Sequence, residues 1–289
     1  MLLVRRAFRH LSRVSDVLFR RTLFEREVTI FDDDVWLTSY PRSGNTWTRF
    51  LVGNLLHDEP VTFLNVERLV PDMYKTADWV MRKLPRPRIM KSHECFDPRY
   101  RKVVYIVRDP RDVAFSNYNF EMKLHSVPEG TPIAEFVPRW VDGVYWRRIG
   151  SWADHVQSWL STRQGQPGFL LLRYEDLQED PQRELKKVAD FVGLQASPER
   201  LTRAVELSSA ANMRKMEKTQ GKKWVATSHT RADKPFVGGA SSGGWRKNLP
   251  EESVAYLEAH WGPLMKSLGY ELVSEQKQKE DPVGAHVVR

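Results

Sequence analysis

The chain has 289 residues, 41% of them hydrophobic and 28% charged, the balance of an ordinary globular protein with room for one large domain and scarcely for two. Lysine and arginine number 45 against 37 acids, a formal surplus of +8, which suits an anionic partner (a nucleotide, a nucleic acid or an acidic membrane) without choosing among them. A lone cysteine, Cys95, excludes an intramolecular disulfide and makes a reducing compartment, the cytoplasm, the simplest setting.

No run approaches the roughly 18 apolar residues of a membrane span, and arginines interrupt the first residues where a secretory signal needs an apolar core. In that segment Val4, Phe8, Leu11 and Leu18 recur at helical spacing, with Arg5, Arg9, Arg13 and Arg20 among the polar positions. The spacing predicts a basic amphipathic helix within residues 1–30. It fits packing on the domain, a peripheral membrane contact through residues 1–21, or mitochondrial targeting, since no acid precedes Asp16.

VWLTSY (35–40) is short, β-branched and aromatic and reads as a buried strand; residues 41–45 read as a turn and residues 46–57 as a helix. Strand, glycine turn and helix in that order open an α/β nucleotide fold. RIMKSH (88–93) is a second strand, KVVYIV (102–107) an interior one, and residues 111–122 and 151–164 are helices. FLLLRY (169–174) is a further strand. Residues 181–194 start at Pro181 and end at a glycine, as helices do, and 197–210 form the next helix. Residues 217–245, rich in Lys, Gly and Ser, predict a long functional loop, mobile until an anion gathers its lysines. Residues 251–270 form a last helix interrupted near Gly262-Pro263, and 273–289 have the composition of a disordered tail.

Three constellations carry chemistry. In Tyr40-Pro41-Arg42-Ser43-Gly44-Asn45-Thr46-Trp47 a glycine turn leads into a helix N-terminus, where backbone N–H groups and the helix dipole favour an anion. Arg42 adds charge, and Ser43, Thr46 and Asn45 add side-chain donors. This phosphate cradle is not the ATPase loop, because no lysine closes it. Lys91-Ser92-His93 stands at a strand's carboxyl end, where α/β ligands sit. A histidine there can take a proton from an attacking hydroxyl, and Lys91, on the same face, can stabilise charge on the group in transit. The stretch 107–116 again runs from strand into helix: Arg108 and Ser116 can both reach an anion near that junction, or the stretch is a helix cap with Asp109 as N-cap and Pro110 in the first turn, and the two readings are compatible.

Together these pieces resemble the cytosolic-type sulfotransferases, whose pattern is Y-P-K-S-G-x-T-W, K-T-H, and an arginine followed eight residues later by a serine. Here they stand as YPRSGNTW, KSH, and Arg108 with Ser116; Arg173-Tyr174-Glu175-Asp176-Leu177 and Gly243-Gly244-Trp245-Arg246 extend the likeness over residues 35–270. The resemblance implies a three-layer P-loop-like α/β fold with a central parallel sheet over residues 31–272. It implies in-line sulfuryl transfer from 3′-phosphoadenosine-5′-phosphosulfate (PAPS), without metal, to a hydroxyl or amine. His93 would be the base, with Lys91 and Arg42 on the transferring and leaving oxygens. The 5′-phosphate would lie on Ser43, Gly44, Asn45 and Thr46, the 3′-phosphate on Arg108 and Ser116, and the adenine by Trp47 and Tyr174.

Two departures stand out. The loop lysine is Arg42, which keeps the charge but is a poor proton donor. The family's R-K-G grip on the 3′-phosphate reads Gly238-Gly239-Ala240, leaving Lys222, Lys223, Arg231 or Lys234 to substitute. The acceptor implied is a small molecule, carbohydrate or glycolipid, with no nucleic acid. The rival readings are a kinase, which the loop's missing lysine disfavours, and a non-catalytic nucleotide- or membrane-binding module, which the missing R-K-G favours.

Overall fold

The computed structural model describes residues 27–239 and 241–274. The helix expected within residues 1–30 and the tail expected over 273–289 lie, but for their inner edges, outside the described residues.

Among the described residues four strands form one parallel sheet in the order β2-β1-β3-β4, with β1 at Val35–Ser39, β2 at Ile89–Ser92, β3 at Lys102–Val107 and β4 at Phe169–Arg173. Strand periodicity sorts the side chains between two faces. Val35, Leu37 and Val104 pack with Leu51, Leu55 and Val188 on one side, while Trp36, Val103 and Tyr105 meet Trp140, Trp152 and Trp159 on the other. Burial on both faces is why the central strands read as unbroken apolar runs, and the three-layer α/β fold expected is the one observed.

After β1 comes α1 (Asn45–Leu56); α2 (Val66–Leu69) and α3 (Asp78–Met81) lead to β2. After β3 come α4 (Pro110–Lys123), α5 (Ile133–Val141) and α6 (Trp152–Arg163); after β4 come α7 (Tyr174–Glu179), α8 (Pro181–Val192), α9 (Pro198–Leu207) and α10 (Ala210–Gln220). The described chain closes with α11 (Trp245–Asn248) and α12 (Glu251–Ser267). From β1 the chain crosses to edge strand β2, then returns past β1 to β3. That reversal leaves a crevice beyond the carboxyl ends of β1 and β3, where ligands of open α/β sheets bind.

The structure corrects three boundaries. The helix of residues 197–210 ends at Leu207, and Ser209 starts α10 by accepting the Asn212 N–H. The loop expected from residue 217 therefore starts at 221, and it is not bare: Trp224 is buried against Phe63 and Phe236. Finally, α12 runs through Pro263 without interruption. A proline inside a helix costs about 3 kcal/mol; here buried Leu257, Trp261 and Met265 hold the helix on the core, and Glu258 ties it to Arg111 at 2.7 Å.

A candidate sulfuryl-transfer site at the carboxyl ends of β1, β2 and β3

The turn after β1 is shaped for an anion. Arg42 and Gly44 both take left-handed backbone conformations, φ 70° and 92°. α1 starts with no side-chain cap and no acid in its first turn. Its first N–H groups precede the first intrahelical bond, Thr48 N–H to the Gly44 carbonyl at 3.0 Å, so those of Asn45, Thr46 and Trp47 have no helical acceptor. Only glycine fits at 44, because a Cβ there would lie 2.4 Å from the Tyr174 ring. The Ser43 side chain is buried, and its Oγ has no partner among the described residues.

Two cations face this turn, neither in an ion pair with a carboxylate among the described residues. The Arg42 guanidinium donates from Nε to Ser116 Oγ (3.2 Å) and lies over the rings of Phe120 and Phe236 at 4.6 and 4.9 Å. Burial, with the nearby charge of Arg108, pulls it down to about 10, still protonated at neutral pH. Arg108, at the end of β3, donates to the carbonyls of Arg42 (3.2 Å) and Ser241 (3.1 Å) and stacks at 4.2 Å on Tyr174. Tyr174 meets Trp47 edge-on at 5.7 Å, and the Trp47 indole N–H donates to the Ser208 carbonyl. The Asp112 carboxylate then takes the N–H groups of Gly243 and Trp245, tying the Gly243-Gly244-Trp245 motif to the start of α4.

The β2 end carries a partly buried histidine. His93 Nδ1 lies 2.7 Å from the Ser39 carbonyl. A carbonyl only accepts, so Nδ1 carries the proton and Nε2 keeps its lone pair. Burial and the Lys91 charge push the imidazole down to about 3, so it is neutral at physiological pH. Its backbone is held too: the His93 N–H donates to Tyr74 Oη (2.8 Å), and His155 Nε2 donates to the His93 carbonyl (3.2 Å). Lys91 Nζ contacts the Asp72 carboxylate at 2.6 Å.

Of the sequence-predicted residues, Arg42, Ser116 and Arg108 come together at the turn, and Lys91 and His93 stand at the β2 end. The Asn45 amide does not point to a ligand: it turns inward and donates to Leu37 O, Ser39 Oγ and Ser92 O, holding β1 and β2 together below the turn. Of the loop residues offered as a replacement grip, Arg231 is taken up by Glu129 and Asp233. Sequence reasoning missed Asp72, Tyr74, Phe120, Phe236 and Arg214, whose guanidinium donates to the carbonyls of Gly238 (2.9 Å) and Gly239 (3.1 Å). None of them lies in a motif or marks a helix or strand boundary; only the fold brings them to the crevice.

A parallel α/β sheet with an acid-free anion turn at its switch point defines a P-loop-like protein that grips phosphate or sulfate esters. A sulfotransferase-domain profile matches residues 32–269, and the chain belongs to the sulfotransferase family. Sulfuryl transfer is that family's chemistry. Dog sulfotransferase 1B1 is 31% identical over 199 residues, covering 63% of this chain and 66% of the dog protein, just under two thirds of its length. Mouse sulfotransferase 1B1 is 29% identical over 259 residues, 84% of this chain and 86% of its own. Among solved structures, mouse sulfotransferase SULT7A1 complexed with PAP superposes with a TM-score of 0.66 at 20% identity, over 82% of this chain and 85% of the other. Retinol dehydratase in complex with androsterone and the inactive cofactor PAP gives 0.67 at 22%, over 83% and 82%.

Proposed function

We propose that this site moves a sulfuryl group from PAPS to a hydroxyl or amine of a small-molecule acceptor, with His93 as general base. The observation that carries the assignment is the 2.7 Å contact of His93 Nδ1 with the Ser39 carbonyl, which leaves Nε2 as a base beside the anion turn. The acceptor proton passes to Nε2 as the acceptor oxygen or nitrogen bonds to sulfur and the bond from sulfur to the nucleotide phosphate oxygen breaks. Arg42 and Lys91 stabilise the charge on the leaving and transferring oxygens. The N–H groups of Gly44, Asn45, Thr46 and Trp47 hold the 5′-phosphate, Ser43 Oγ supplies a buried hydroxyl there, and Trp47 and Tyr174 flank the adenine. The donor fits these residues chemically: the crevice offers cations and unpaired N–H groups and no acid at the helix start.

The 3′-phosphate falls to Arg108 and Ser116, assisted by Arg214. In relatives R-K-G makes this grip; here Gly238 and Gly239 carry no side-chain cation, and the Arg214 guanidinium stands against their carbonyls instead. A metal plays no part in this proposal; the described residues hold no group of three metal-ligating side chains. Among them no helix is long and apolar enough to cross a membrane. Residues 31–272 as one domain, a cytoplasmic setting, a carbohydrate or glycolipid acceptor and a membrane contact through residues 1–21 belong to the same proposal, on sequence pattern alone. Sedimentation with anionic vesicles, with and without residues 1–26, tests the last.

The decisive experiment is sulfur-labelled PAPS in a cell extract, with the product identified by mass. His93→Ala lowers turnover by roughly a hundred- to ten-thousandfold and leaves 3′,5′-bisphosphate binding near the wild-type value. Wild-type turnover in that variant removes His93 from the mechanism, and nucleotide binding with no transfer to any acceptor favours the non-catalytic module.

A further inference from the structure

One short segment, residues 71–74, reaches both Lys91 and His93, and its significance rests on the catalytic roles proposed for that pair. Its backbone pairs with the edge of β2: Lys91 N–H donates to the Pro71 carbonyl at 2.8 Å, and Met73 N–H to the Lys91 carbonyl at 3.3 Å. From this segment the Asp72 carboxylate reaches Lys91, with Oδ2 2.6 Å from Nζ and side-chain exposures of 3% and 14%. Oδ1 accepts the Tyr74 N–H at 2.9 Å, so both oxygens are committed. Asp72 is itself anchored: its N–H donates to Glu67 Oε2 (2.9 Å), which also holds the buried Arg49 guanidinium at 3.0 Å. Burial opposes ionisation of Asp72, but Lys91 and Arg49 outweigh it and hold the carboxyl down at about 2. Two residues on, Tyr74 Oη takes the His93 N–H, and its ring lies parallel to the imidazole, centroids 6.1 Å apart and planes 5° from each other.

We propose that Asp72 is a positioning residue for sulfuryl transfer, fixing the Lys91 ammonium at the β2 edge of the crevice so that its remaining N–H donors are left for a sulfuryl oxygen. A lysine is a compact charge on a flexible four-carbon stem, and a misplacement of about 1 Å in a catalytic group can cost about a hundredfold in rate. The competing account is a buried ion pair that merely fastens the segment to the sheet. Backbone bonds already make that fastening, and the carboxylate is aimed at the one lysine on β2. Tyr74, from the same turn, secures the other catalytic side chain.

The test uses the full chain with PAPS, following 3′,5′-bisphosphate release with 2-naphthol as acceptor and with water alone, and titrating the bisphosphate by calorimetry. Asp72→Asn lowers kcat about ten- to hundredfold while the bisphosphate Kd stays within about threefold, and Asp72→Glu recovers part of the loss. Because Asp72 acts through Lys91, the double variant Asp72→Asn/Lys91→Met turns over no more slowly than Lys91→Met alone. Wild-type kcat in Asp72→Asn, or losses that multiply in the double variant, overturns the proposal while Lys91 keeps its role. Wild-type kcat in Lys91→Met removes that role and the proposal with it. Should Asp72→Asn fail to fold, Asp72→Glu decides: the charge is retained but the ammonium is displaced, so an unchanged kcat overturns the proposal.

Discussion

Gly44→Ala puts the anion turn under direct test. At φ 92° an alanine is in the left-handed region, at a cost of about 1–2 kcal/mol. Its Cβ would stand 2.4 Å from Cδ2 and 2.7 Å from Cε2 of Tyr174, far inside the roughly 3.5–4.0 Å of an ordinary carbon contact. The ring has little room to retreat, with Arg108 at 4.2 Å on its face and Trp47 at its edge. Overpacking of this kind adds about 1–3 kcal/mol, so the expected loss of stability is about 2–5 kcal/mol. The turn that relieves the clash no longer aims its N–H groups. Losing one charge-assisted bond, about 1.5–3 kcal/mol, weakens the bisphosphate by about ten- to 150-fold. Gly193→Ala is the control: φ is 78°, nothing lies within 4 Å of its Cβ, and it sits at the end of α8, so it shows the backbone cost alone. Chemical denaturation and calorimetry read both quantities. Bisphosphate affinity within about threefold of wild type in a folded Gly44→Ala protein would refute the cradle.

Because burial and Lys91 depress His93 to about 3, the acid limb of kcat/KM falls well below pH 6. An inflection near 7 that vanishes in Glu121→Gln reports Glu121, which burial lifts to about 7; one that survives it refutes the neutral-histidine argument. The unfolded chain protonates this histidine first, so stability declines as pH drops from about 6.5 toward 3, and less so in His93→Gln by denaturant titration. Arg108→Ala and Arg214→Ala each weaken 3′,5′-bisphosphate about tenfold or more but scarcely affect adenosine 5′-phosphosulfate, which lacks the 3′-phosphate; equal weakening of both nucleotides removes the residue from that grip. Trypsin cuts the free protein at exposed Lys222 or Lys223 ahead of the ion-paired Arg231, and the bisphosphate protects those sites; a rate indifferent to nucleotide makes the segment a plain connector.

The parts of this protein that can be read from the sequence are those governed by local rules. β1 and β3 declare themselves because both faces are buried, and α4 because Asp109 and Pro110 cap its start. The turn from Arg42 to Trp47 is legible because a phosphate cradle is built from consecutive backbone groups. The same locality explains the failures. The motif offers the Asn45 side chain as a further donor to a ligand, but β2 lies close enough for the Ser92 carbonyl to draw that amide inward, and nothing near residue 45 encodes that. Pro263 predicts a break that local propensity supports and the packing of Trp261 and Met265 overrides. Asp72 and Arg214 meet their partners across 19 and 24 residues of sequence, outside any motif, so those contacts emerge only with the fold.

Both kinds of rule meet in the segment between α10 and α11. Side chains hold its flanks: the Glu217 carboxyl group takes the N–H groups of Phe236 and Val237, Lys123 donates to the carbonyls of Arg231 and Lys234, and Asp112 takes the N–H groups of Gly243 and Trp245. Between these anchors Gly238, Gly239 and Ser241 present only carbonyls to Arg214 and Arg108. A bond from a guanidinium to a neutral carbonyl is roughly half as strong as one to an anion, so a phosphate held as proposed would displace the carbonyls. On the proposed reading the glycine stretch shifts in that exchange, and backbone freedom at Gly238 and Gly239 would let Arg108 and Arg214 make the grip.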